Sequence, residues 1–172
     1  MSAGRRRTAN EILTAREDVW PEAVNPVAQL MVRLFRLSNL VADNAMREIA
    51  AHKLSFVEFE VLVTLRGTVS PYQLAPTDLY NAILISSGGL TKVLYALQER
   101  KLITRGEVGH DRRSKPVRLT VRGRALAERV MADVLRADEE LVRRGLSKAG
   151  LVQLTMLLRK LLATLEPDGG VA

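Results

Sequence analysis

Ten cations and only three acids lie between Ser86 and Ala125, and this window carries the whole formal charge of +7 of the 172-residue chain. The stretches on either side are charge-balanced. The cations are Lys92, Arg100, Lys101, Arg105, Arg112, Arg113, Lys115, Arg118, Arg122 and Arg124. A basic segment between neutral flanks is the electrostatic footprint of a surface that meets a polyanion. At its start, "SSGG" at Ser86, Ser87, Gly88 and Gly89 precedes an apolar run of helical spacing. A serine there can cap a helix start, whose free N–H groups and dipole favour an anion. The glycines weaken a helix, but they remove side chains where another molecule's backbone must come close.

Other chemistries find little support. The chain has no cysteine, which removes disulfides, thiolate catalysis, thiol redox sensing and cysteine-rich zinc sites together. His52 and His110 are far apart and read as exposed or capping side chains, with no spacing that suggests a metal. "GGLTK" lacks the spacing of a phosphate-binding loop, and no nucleophile–base set has a supporting motif. The expectation is a non-enzyme with no catalytic residues, metal or cofactor. No apolar stretch approaches the roughly 20 residues that span a bilayer, and the polar N-terminus lacks the apolar segment of a secretory signal. A soluble, cytoplasmic protein without a membrane partner is expected.

The basic window needs elements to position it. Residues 1–9 read as a frayed basic tail, and Asn10 to Trp20 as a short helix capped by Asn10. From Pro26 to His52, Val27, Leu30, Leu34, Leu37 and Val41 recur at helical spacing, widened by Met31 and Phe35. Ser55 and Glu58 have capping-box spacing before a helix from Phe56 to Arg66 that Gly67 stops. "TVSPYQLAP" is a turn or short extended piece, and a two-turn helix starts near Pro76. Ser86 or Ser87 caps a helix to about Lys101, with Leu90, Leu94 and Leu97 on one face and Gly88, Lys92, Tyr95 and Glu99 on the other. "LITRGEV" and "PVRLTV" are strands joined by the polar loop "GHDRRSK". Thr120 caps a helix from Val121 to about Arg143–Gly145. The last helix places Leu151, Leu154, Leu158, Leu161 and Leu165 alternately three and four apart, as in a coiled-coil seam.

A short helix, a tight turn, a helix with a polar outer face and a basic hairpin make a winged helix-turn-helix. The fold class is therefore mainly α with a small β-hairpin wing, dimerised through the N- and C-terminal helices. The second helix of the motif suits the DNA major groove, about 12 Å wide. Its expected DNA-facing positions are Ser86, Ser87, Gly88, Gly89, Thr91, Lys92 and Tyr95. On the wing they are Arg112, Arg113 and Lys115, with Arg113 inserted into the minor groove and Asp111 orienting the arginines. The terminal helices carry more apolar stripe than one small winged unit covers. A homodimer would pair two basic windows across half-sites about 34 Å apart. The domain organisation expected is a tail (1–9), N-terminal dimerisation helices with a possible ligand cleft (10–54), the winged unit (55–120), C-terminal dimerisation helices (121–166) and a tail (167–172). A winged-helix module that binds protein rather than DNA is the alternative, disfavoured by the concentrated charge.

"ISSGGLTKVL", "KLITR…HDRRSKPVRLTVRGRAL" and "LSKAGLVQLTMLLRKLL" resemble the multiple antibiotic resistance regulator (MarR) family of transcription factors over roughly Pro26 to Glu166. That resemblance implies a homodimeric repressor on a pseudo-palindromic operator in double-stranded DNA, released by a ligand. Within the family, "EFEVLVTLRG…SPYQLAPTDL" and a helix ending in Trp20 resemble the PecS and urate-responsive branch. This branch implies a ligand set of Trp20, Glu60 and Arg105 for a urate-like aromatic or anionic molecule; a ring to stack on and a guanidinium to pair with suit such a planar anion. Glu60 stands where the branch has aspartate. Ala75 stands where the family has a capping Thr or Ser. The family's cysteine-based peroxide sensing and histidine-based zinc sensing are excluded by composition.

Overall fold

The computed structural model describes residues 7–83, 87–106 and 115–166. Among these described residues, seven helices and three short strands follow in the order α1 (Ala9–Glu17), α2 (Pro26–Ala51), α3 (Phe56–Arg66), β1 (Gln73–Leu74), α4 (Pro76–Ala82), α5 (Ser87–Glu99), β2 (Ile103–Arg105), β3 (Val117–Leu119), α6 (Val121–Arg143) and α7 (Lys148–Leu165). A short 3-10 turn, Pro21–Ala23, separates α1 from α2.

Local chemistry sets the helix starts. Ser55 Oγ accepts from the Glu58 N–H and Glu58 Oε2 accepts from the Ser55 N–H, closing the expected capping box on α3. Thr120 accepts from the Gly123 N–H at the head of α6, and Ser147 from the Gly150 N–H at the head of α7. The α1 expectation needs correction. Its cap is Thr8, in a capping box with Glu11, so the helix begins at Ala9 rather than after Asn10. It also stops at Glu17 rather than running to Trp20, whose N–H closes the last turn on the Arg16 carbonyl at 2.7 Å. As its alanine N-cap implies, α4 has no side-chain cap.

One core joins the winged unit to the long helices. Leu62 and Leu65 of α3, Leu79 of α4, Leu94 and Leu97 of α5, Ile103 and Val117 of the sheet and Val130 of α6 are all fully buried. The sheet is antiparallel with strand order β1–β3–β2. Gln73 pairs with Arg118, and Thr104 pairs with Arg118 from the other side. "TVSPYQLAP" thus contributes a third strand at the base of the hairpin. Further along, Asn44 is buried on α2. Its Nδ2 donates to Asp138 Oδ1 of α6 at 3.0 Å, and its Oδ1 accepts from Arg47 at 2.9 Å. These bonds satisfy the amide inside the α2–α6 contact.

Among the described residues no helix is long and apolar enough to cross a membrane, and no cluster of potential metal ligands occurs.

Candidate nucleic-acid interface

The two faces of α5 divide as the leucine spacing requires. Leu90, Leu94 and Leu97 are buried, while Thr91, Lys92, Tyr95 and Glu99 are exposed. The helix is therefore anchored by one stripe and presents the other. Ser87 and Gly88 open the helix and Gly89 follows in its first turn. Ser86 lies outside the described residues, as do Asp111, Arg112 and Arg113. Lys115 is exposed just before β3.

The base of the wing is locked to α5. The Arg105 guanidinium, on β2, lies 4.8 Å from the centroid of the Tyr95 ring. Its Nε is buried and has no hydrogen-bond partner among the described residues. Arg100, at the end of α5, donates to Glu58 Oε1 at 3.0 Å. Glu58 therefore caps α3 with one oxygen and ties down the end of α5 with the other. Thr120 Oγ1 donates toward the Lys101 and Leu102 carbonyls while accepting from Gly123, joining the end of α5 to the start of α6. Just before the outer strand β1, the Tyr72 ring centroid lies 5.0 Å from the Arg66 guanidinium of α3 and 5.8 Å from that of Arg124 of α6, and Arg66 also pairs with Glu128 at 2.7 Å. Sequence reasoning missed these ties, although "TVRGRAL" held one clue. A Cβ on Gly123 would sit 1.9 Å from the Leu102 carbonyl oxygen, so only glycine fits there.

The three residues of the expected ligand set stand apart in their contacts. Trp20 follows α1 and is 62% exposed. Glu60, in the middle of α3, is half-buried, and burial raises the pKa of its carboxyl group. Among the described residues no hydrogen bond or ion pair joins Trp20, Glu60 and Arg105. His52 is more than an exposed side chain: it ends α2, and its Nε2 lies 2.8 Å from Asp133 Oδ2 of α6.

No family model matches the chain. The HTH-type transcriptional regulator PecS of Dickeya dadantii is 32% identical over 105 residues, which is 60% of this chain and 63% of PecS. The chain therefore aligns with less than two thirds of that relative's length. The crystal structure of a MarR family protein of Mycobacterium tuberculosis in complex with p-aminosalicylic acid superposes with a TM-score of 0.60 at 26% identity, covering 77% of this chain and 97% of the other. The fold is that of MarR-family proteins. A MarR family transcriptional regulator of Streptomyces coelicolor in complex with DNA shares the fold at a TM-score of 0.65 and 20% identity, over 98% of this chain and 95% of the other. The MarR-type winged helix here is carried by α3, α4, α5 and the β1–β3–β2 sheet.

Proposed function

We propose that this chain is a MarR-family DNA-binding transcriptional regulator that acts as a homodimer on a pseudo-palindromic operator. The observation that carries the reading is α5 itself. Its leucine face is buried in the winged core, so Lys92 and Tyr95 are displayed on the opposite face. The cationic sheet that bears the wing adjoins it through the Arg105–Tyr95 stack. A helix held this way suits a major groove, with the SSGG start close to the phosphates and the wing arginines Arg112 and Arg113 in the adjacent minor groove. Lys115 adds a phosphate contact and Asp111 orients the arginines. Repression is the mode proposed, with release by a small aromatic or anionic ligand.

Two features support a ligand response. The buried Arg105 Nε lacks a partner, and Glu60 holds a carboxyl group in a poorly hydrated position. With the open indole of Trp20, these groups suit a planar aromatic anion, and the Mycobacterium tuberculosis relative is known with p-aminosalicylic acid bound. Genomic footprinting of the purified protein, followed by duplex binding across a salt series, tests the regulator reading. Expected is a footprint with two-fold symmetry and a linear fall of log affinity with log salt. Arg113→Ala should weaken binding and flatten that slope. A protein that binds no duplex, or binds it independently of salt, would instead favour a protein-interaction module.

A further inference from the structure

A second cationic cluster lies where the ends of α2 and α5 meet the start of α6. Here a cavity of about 360 Å³ is lined by His52, Lys53, Arg100, Arg122 and Arg129, with Leu126 on its apolar side. That volume is in the range of small-molecule sites. None of these residues belongs to the α5 face or wing assigned to DNA, or to the set of Trp20, Glu60 and Arg105.

The cavity's charge is only partly compensated from within. Glu58 takes Arg100, and Asp133 takes His52 and also Arg136. Lys53, Arg122 and Arg129 make no ion pair among the described residues. Three full positive charges therefore converge on one concave site without a counter-ion among the described residues. Side chains on three separate elements can engage one multivalent anion through charge-assisted hydrogen bonds, which a lone carboxylate would not satisfy.

The backbone at Lys53 is a second and independent observation. The Lys53 N–H bonds the Ala50 carbonyl and the Leu54 N–H bonds the Ile49 carbonyl, which is a Schellman ending on α2. Lys53 occupies its left-handed position, at φ 58, where glycine is the favoured residue and any side chain is disfavoured. The chain thus places a lysine on the cavity wall at a position where glycine would fold more easily. Lys101 ends α5 in the same way, at φ 57, with its N–H on the Gln98 carbonyl and the Leu102 N–H on the Leu97 carbonyl. It does not line the cavity, so it serves as a built-in control.

We propose that this cavity binds a small anion bearing two or more phosphate or carboxylate groups, held by Lys53, Arg122 and Arg129 with Arg100 behind them. The site is independent of the DNA-binding reading. Isothermal titration of the full chain at fixed ionic strength, with inorganic pyrophosphate in one arm and citrate in the other, tests it. Saturable binding of at least one anion at one per chain is expected, and the better arm tells phosphate from carboxylate chemistry. Lys53→Gly should weaken that binding about tenfold or more while melting at or above the wild-type temperature. Lys101→Gly should share the gain in melting temperature and leave anion affinity unchanged. The paired change Arg122→Gln and Arg129→Gln should abolish saturation. The proposal is overturned if neither anion saturates, or if Lys53→Gly binds as tightly as wild type. It is equally overturned if Lys53→Gly lowers duplex affinity and its salt slope in step with anion affinity, for the cavity would then hold a DNA phosphate.

Discussion

The guanidinium of Arg105 lies 4.8 Å from the ring centroid of Tyr95, so the first strand of the wing grips the outer face of α5. Tyr95 is 58% exposed, and the stack fixes one side of its ring while leaving the rest open. Cation–π contacts of this kind contribute roughly 0.5–2 kcal/mol. Arg105→Lys keeps the charge but loses the flat stacking surface. On the proposed reading it should weaken operator binding about three- to tenfold with an unchanged salt slope. Tyr95→Ala should do the same, and the double variant should lose little more than either single change. Full additivity in fluorescence-anisotropy titrations would show that the two side chains act separately.

Gly123 gives a sharper test of how the winged unit is mounted on α6. Its backbone approaches Leu102 so closely that a Cβ would meet the carbonyl oxygen at 1.9 Å and the carbonyl carbon at 2.8 Å. Both are backbone atoms, so no side chain can swing aside. Gly123→Ala should destabilise the protein by about 2–4 kcal/mol despite alanine's better helix propensity. Urea unfolding checks this, and a variant as stable as wild type would mean that α6 can slide on the end of α5.

What the sequence disclosed and what it hid divide along physical lines. The long helices were legible because Leu90, Leu94 and Leu97, or Leu126 and Val130, repeat at a helical period that burial then enforces. The capping box of Ser55 and Glu58 and the cap at Thr120 were legible because capping is local. The contacts between elements were not. That Glu58 also holds Arg100, or that Thr120 also holds the Lys101 carbonyl, depends on residues far apart in sequence meeting in space. The two left-handed lysines were hidden for another reason: a glycine would have announced the helix ends, and lysine does not. The cap of α1 was misplaced because Thr8 and Asn10 are both good caps, and only Thr8 has a glutamate three residues on. Of the candidate site, the polar face of α5 followed directly from the leucine stripe, whereas the Arg105–Tyr95 stack needed the fold.

Glu60 makes stability depend on pH in an unusual direction. Burial raises its pKa, so the folded chain holds the proton more readily than the unfolded chain does. Its contribution to stability is complete below the ordinary glutamate range and is lost as pH rises through the raised value. At neutral pH the ionised carboxylate therefore costs stability. Glu60→Gln should match wild type in urea melts near pH ~4 and exceed it at neutral pH. A difference that stays constant across that span would show that the carboxyl group is as well hydrated in the folded chain as in the unfolded one. The same variant should respond more weakly to aromatic anions if Glu60 belongs to the proposed ligand set.

The apolar surface of the terminal helices leads to the final prediction. No residue of α7 is buried, and Leu151, Val152, Met156, Leu157, Leu161, Leu162 and Leu165 all stand exposed on it. On α2, Val27, Leu30, Met31 and Phe35 are likewise exposed. A soluble monomer rarely exposes so many large apolar side chains on its terminal helices, and the seam spacing on α7 matches that of helices that pack on a partner. If a second copy covers this surface, Leu161→Glu sets an unpaired carboxylate in the interface at a cost of several kcal/mol. Sedimentation should then show a dimer for wild type and a dissociation constant raised about a hundredfold or more for the variant. Circular dichroism should show the helices intact, because Leu161 belongs to no intrachain core. Operator affinity should fall with the dimer, since each protomer would then hold only one half-site. A wild-type protein that sediments as a monomer, or a Leu161→Glu dimer as tight as the original, would remove the second copy from the account and leave these helices to a different partner.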